Sequence, residues 1–166
     1  MAVRSGHLRL RAQSRGIEAA IQKNVASMLR AYLPASVWWT ASLSGVPLTP
    51  AVAAAAKAAG MEKGAPDLSL IFPDGRTKYI ELKAPGGVLT PEQAMLSERL
   101  GARMAVCHSW PEVRAVLETW LRHYGLRLLT DGESVAREGR RRQAELAAML
   151  TKQRPLRRRA VRGSVA

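Results

Sequence analysis

Cysteine is nearly absent: Cys107 is the single one in 166 residues. Without a second thiol, no internal disulfide forms and no cysteine zinc site assembles. Stability must therefore come from a core. At 47% hydrophobic residues the chain can bury one, as a single domain with extra residues at its ends. The lack of disulfides favours a reducing, intracellular compartment, so a cytoplasmic protein is expected. Long apolar runs are also missing. The longest candidate, AVAAAAKAAG, is short and broken by Lys57, so no membrane span is expected. The first residues, MAVRSGHLRLRAQSRG, have no apolar stretch of the secretory type. Being Arg-rich and acid-free, they read as a basic arm more simply than as a transit peptide. His7, His108 and His123 show no metal-ligand spacing. Gly86-Gly87 lacks a following P-loop lysine, and no internal repeat is visible.

Acidic residues are scarce in particular places. Residues 1–15 hold four arginines and no acid, and residues 137–166 hold ten Lys/Arg against two Glu. The middle, 16–136, carries twelve Lys/Arg and eleven acids. Most of the net charge of +13 thus sits on two terminal arms around a nearly neutral domain. Such arms suit a polyanion, most often nucleic acid, with Arg4, Arg9, Arg11, Arg15, Arg157, Arg158 and Arg159 as contacts. Solubilising tails have the same composition.

Periodicity supplies the elements. Ile17, Ala20, Ile21, Val25, Met28, Leu29 and Tyr32 form a helical stripe, stopped by Pro34. SVWWTAS is a strand, in which one of Trp38 and Trp39 faces the core and the other is free to stack on a base or an interface. Thr49-Pro50 opens an Ala-rich helix, and Thr90-Pro91, with Gln93 completing a capping box, opens another that ends at Gly101. RMAVCHS is a strand with Cys107 as a small buried hydrophobe, WPEVRAVLETWLRHYG a helix, and LRLL a final edge strand. A loosely attached helix over 135–152 and a disordered basic end complete the chain. The order predicts an α/β fold, a mixed sheet flanked by helices.

Between these elements lies GAPDLSLIFPDGRTKYIELKAPGG, two apolar strands around Pro73-Asp74-Gly75. A three-residue loop pairs Phe72 with Arg76 and sets Asp67 opposite Glu81. Alternation then puts Leu68, Leu70, Phe72, Ile80 and Leu82 on one face and Asp67, Ser69, Tyr79, Glu81 and Lys83 on the other. Opposed carboxylates about 4.5–5.5 Å apart at Cβ are destabilising unless a cation lies between them. Oxygen ligands suit Mg²⁺ or Mn²⁺. The bland reading is a solvated strand end with Lys83 as an ion-pair partner, and a four-residue loop would move Asp67 to the other face.

GAPDLSLI, then YIELKAPGGVLTPEQ, then LGARMAVCHSWPEV, resembles the VRR-NUC family of virus-type replication and repair nucleases, within the PD-(D/E)XK superfamily. The resemblance covers roughly residues 16 to 123. It implies a restriction-endonuclease-like core. Asp67, Glu81 and the Leu82 carbonyl would hold Mg²⁺ or Mn²⁺, and Glu18 from the first helix would be an outer or second-metal ligand. Lys83 would orient water or stabilise the phosphate, and Gln93 would complete the set. Glu18 also suits an exposed helix start, and Gln93 the helix cap. Gln22, one turn from Glu18, either supports it or is a surface residue.

The expected organisation is a basic N-terminal arm (1–15), a nuclease domain (16–130) and a helical, basic C-terminal extension (131–166). The resemblance implies a Mg/Mn-dependent endonuclease of DNA repair, hydrolysing phosphodiester bonds in branched DNA such as a four-way (Holliday) junction, as a homodimer. A flap or non-specific nuclease is the alternative. A non-catalytic DNA-binding protein on the same scaffold would be expected to lack Asp67, Glu81 or Lys83, and all three are present.

Overall fold

Turn chemistry fixes the central hairpin. The computed structural model describes residues 3–42 and 48–162, with side chains for 13–14, 16–42 and 48–151. Pro73, Asp74 and Gly75 join β2 (Leu68–Ile71) to β3 (Thr77–Leu82); α1, β1 and α2 precede them in the chain. Gly75 has φ +79°, a conformation glycine adopts without a Cβ penalty. Its N–H donates to the Phe72 carbonyl at 2.9 Å, and the Phe72 N–H donates to the Arg76 carbonyl at 2.9 Å. The resulting register, Leu68↔Ile80 through Ile71↔Thr77, is the expected one. Continued by one step, it places Asp67 opposite Glu81.

β1 (Trp38–Ala41) joins β2 antiparallel, and β4 (Met104–Cys107) joins β3 parallel. The sheet is mixed, in the order β1-β2-β3-β4. A parallel pair needs a crossover; α3 (Pro91–Leu100) and a 3-10 turn (Gly101–Arg103) supply it. One sheet face is apolar and takes α1 (Val3–Tyr32) and α4 (Trp110–Arg122). Val25 and Leu29 from α1, with Val113, Leu117, Trp120 and Leu121 from α4, bury against Leu68, Leu70, Phe72, Ile80 and Leu82. α2 (Pro50–Ala58) buries no residue of its own. Trp39 packs against the core beneath Arg30, whose guanidinium carbon is 5.5 Å from the ring centre, while Trp38 is 58% exposed.

Three expectations need correction. The basic N-terminal arm is helical from Val3: Arg, Leu, Ala and Gln are good helix formers and no proline intervenes. The LRLL edge strand is not formed. Leu126 and Leu128 instead pack against the core from an irregular segment, after the Leu126 N–H closes the end of α4 on the Leu121 carbonyl at 3.0 Å. The final helix, α5 (Asp131–Arg162), runs well past residue 152, through the stretch expected to be disordered. The side chains of Arg4, Arg9, Arg11, Arg15, Arg157, Arg158 and Arg159 lie outside the described residues.

The chain divides into two units, Met1–Leu128 and Leu129–Ala166. The second opens with its own capping box. The Thr130 N–H donates to Glu133 Oε2 at 2.8 Å, and the Glu133 N–H donates to Thr130 Oγ1 at 3.4 Å. Exposed pairs of Arg141 and Arg142 with Glu138 follow along α5 and contribute little each. Among the described residues no helix is long and apolar enough to cross a membrane.

Leu70 is fully buried at the centre of the hairpin. Leu70→Ala is expected to lower unfolding free energy by about 2–5 kcal/mol, read by urea titration.

Candidate active site

The sheet's second face carries the charge. Asp67, Glu81 and Lys83 are the buried charged residues among those described, and Glu81 is 1% exposed. The solvated-strand-end reading is therefore excluded. Ser69 and Tyr79, paired across the hairpin on this face, are half-buried. The Leu82 N–H donates to Asp67 Oδ2 at 2.7 Å, tying the start of β2 to the end of β3. Lys83 Nζ lies 2.7 Å from Glu81 Oε1. The Lys83 N–H donates to the Cys107 carbonyl at 3.0 Å, so β4 holds the backbone from which the ammonium projects.

Gln93 comes from the first turn of α3. The two expected roles, helix cap and site residue, use opposite ends of one amide. Its Oε1 accepts from the Thr90 N–H at 2.9 Å, and its Nε2 donates to Glu81 Oε1. The cap fixes the orientation: only an oxygen can accept from Thr90, so the NH₂ end must face Glu81. Gly64 lets α3 come this close. It has φ +84°, and a Cβ there would lie 2.9 Å from Glu92 Cβ and 3.3 Å from the Gln93 nitrogen. Gly64 and Thr90 are supporting positions that sequence reasoning did not assign to the site. The capping-box spacing marked Thr90, and GxPD marked Gly64, but neither signal reveals which groups approach each other.

Glu18, midway along α1, reaches the segment after β3, where its Oε1 accepts from the Ala84 N–H at 3.3 Å. That places it at the site's margin. Among the described residues, no three His, Cys, Asp or Glu side chains are gathered into one metal-binding group. Gln22 is half-buried one turn along. Gly86-Gly87 forms a turn in which the Gly87 N–H donates to the Ala84 carbonyl at 2.8 Å. His108 holds Glu112, its Nδ1 3.0 Å from Glu112 Oε2.

Burial pushes the Glu81 carboxyl up to about 7; Lys83 opposes this, and the charges on Asp67 and Glu18 add to it. Burial also raises Asp67, against the Leu82 N–H and the Lys83 charge. The Glu18 charge adds to that rise. Both donors to Glu81 fall on Oε1. Oε2 is the buried side-chain polar atom that finds no partner among the described residues. A bare, buried carboxylate oxygen beside a second carboxylate is what a hard divalent cation requires, so these residues fit one.

The family described as VRR-NUC domain matches residues 17–111. That span is over half of the chain and contains Glu18, Asp67, Glu81, Leu82, Lys83 and Gln93. No curated protein and no solved structure matches significantly.

Gln93→Glu keeps an acceptor for the Thr90 N–H but removes the donor to Glu81 and adds a carboxylate. Its Glu81 carboxyl is expected to titrate above the wild-type value of about 7, read by ¹³C NMR in EDTA, while the α3 cap persists. A second expectation concerns metal-free stability. The folded value of about 7 exceeds the ordinary 4.5. This contribution is therefore complete below pH 4.5 and is lost as pH rises through 7, on the order of 3 kcal/mol in all. The melting temperature in EDTA should fall between about pH 5 and 8, and Glu81→Gln should flatten that fall. A wild-type profile that is flat or rising across that interval would contradict it.

Proposed function

The chain belongs to the VRR-NUC family, nucleases that act on DNA, and from that premise we propose that it is a Mg²⁺- or Mn²⁺-dependent endonuclease selective for branched DNA. One observation carries the catalytic part. Two buried carboxylates and a buried ammonium converge at one end of the hairpin, with Glu81 Oε2 left without a partner among the described residues. Such groups are costly to bury and are expected where they perform chemistry.

Asp67, Glu81 and the Leu82 carbonyl would hold the ion, with Glu18 in an outer position. When bound, it polarises a phosphoryl oxygen and lowers the pKa of a coordinated water. The protein's own groups do the rest. Lys83 places a fixed positive charge beside Glu81, where negative charge develops on the phosphate under attack. Its salt bridge keeps the ammonium aimed, which limits reorganisation during the reaction. Gln93 holds Glu81 Oε1 and so directs Oε2 inward. Glu18 anchors the segment that follows Lys83, keeping that strand end in register.

The preference for branched DNA draws on the family resemblance, since some members of that family act on four-way junctions as two-fold dimers. The basic terminal residues support it through sequence-independent affinity for phosphates. A dimer would bring two such sets to one junction. We assign the catalytic domain to 16–130, with 1–15 and 131–166 as DNA-contacting extensions, and place the protein in the cytoplasm.

The test uses labelled linear duplex, flap and four-way-junction DNA with Mg²⁺, Mn²⁺ or EDTA. Cutting is expected in either metal, strongest on the junction, and absent in EDTA. Glu81→Ala and Lys83→Ala should each lower the rate by about 10²-fold or more. Undiminished cutting by either variant removes the assigned mechanism. Junction binding without cutting in any metal would make the protein a structure-specific binder on a nuclease scaffold.

A further inference from the structure

A second basic feature lies at the opposite end of the hairpin from the catalytic residues. The end of α4 and the 3-10 turn before β4 meet the hairpin turn there, around a cleft of about 360 Å³. Arg76, Thr77, Lys78, Arg103, His123 and Tyr124 line it, and no carboxylate is among the lining residues described. Its cationic side chains come from the hairpin and the 3-10 turn, and His123, after the last residue of α4, adds an imidazole. Lys78 is half-buried, its Nζ 4.9 Å from the Trp120 ring centre and 5.9 Å from that of Phe72. Those aromatic faces hold the ammonium at the cleft wall. The carboxylate that acts on Lys78 is Asp74. It is already engaged by the Arg76 backbone N–H at 2.9 Å, Arg76 Nε at 3.4 Å and the Tyr124 hydroxyl at 3.2 Å. Burial pushes Lys78 below the usual lysine range, and a bound anion would offset that penalty.

We propose that this cleft binds a phosphate group, belonging to a stretch of nucleic-acid backbone remote from the scissile bond. Guanidinium groups match phosphate oxygens in forked pairs, and an ammonium adds a compact charge. Lys78 precedes Lys83 on the same strand by about 17 Å at the strand rise. It also shares the face of Ile80 and Leu82, whereas Lys83 shares that of Glu81. DNA that touches both sites must turn around the hairpin end, as the arms of a branched substrate do. The choice of DNA as the source rests on the nuclease reading above; the phosphate chemistry does not.

Arg103→Ala tests this, because Arg103 is exposed and outside the core, and its thermal melt is expected to match wild type. Binding of labelled four-way junction and linear duplex is followed by fluorescence anisotropy in EDTA over a KCl series. Affinity should fall several-fold, with the salt slope reduced by about 1. Separately, inorganic phosphate is titrated into ¹⁵N-labelled wild-type protein, and the backbone signals of Arg76, Lys78, Arg103 and His123 are followed. DNA binding weakened by Arg103→Ala supports backbone phosphate as the ligand. Phosphate-induced shifts with unchanged DNA binding assign the cleft to a free phosphate compound. Unchanged affinity and slope together with no phosphate response overturn the proposal. Wild-type protein that binds no DNA would sink the nuclease reading and leave the phosphate titration to decide the cleft.

Discussion

The charged end of this fold depends on how the Glu81 carboxylate is divided. The side chain is almost fully removed from solvent, and a buried carboxylate with no partner is strongly unfavourable. Lys83 and Gln93 both attach to Oε1. Oε2 finds no partner among the described residues. The protein therefore stabilises one oxygen and leaves the other bare among the described residues. That is a loss to the metal-free fold, consistent with a carboxyl pushed up to about 7.

Each element around Glu81 serves that division. The apolar face of the hairpin, pressed against α1 and α4, fixes the strands. Because side chains alternate, the same strands must deliver Asp67, Glu81 and Lys83 to the opposite face. α3 stands on that second face and contributes one amide, oriented by its own N-terminal cap. Gly64 leaves room for that approach. The Glu18 side chain reaches the Ala84 N–H from α1, linking the first helix to the strand end that carries Lys83. The core and the site are thus two faces of one structure, and the rigidity of the first positions the second.

The parts of this arrangement that were legible in the sequence are those set by local chemistry. Pro73, Asp74 and Gly75 suited a three-residue loop, and that loop sets the observed register that aligns Asp67 with Glu81. The Thr90-Pro91-Gln93 pattern marked the start of α3 because caps act within one turn. Expectations faltered where no local stop signal exists. The N-terminal basic residues were separated from the helix by their charge, yet arginine is a good helix former and α1 begins at Val3. LRLL has strand-like composition, but a strand needs a ladder partner, and those residues bury their leucines without one.

The sequence alone determined the two faces of the sheet and the capped helices, and its turn residues pointed to the hairpin register that aligns Asp67 with Glu81. All of these follow from spacing within a few residues or from the period of a single element. Only the tertiary structure decided that the charged face is buried, that Gln93 uses both ends of its amide, that Glu18 binds Ala84, and that Arg76, Lys78, Arg103 and His123 surround one cleft. Those outcomes depend on which elements meet. Contacts between segments far apart in the chain are governed by packing and desolvation, and no local pattern of residues encodes them.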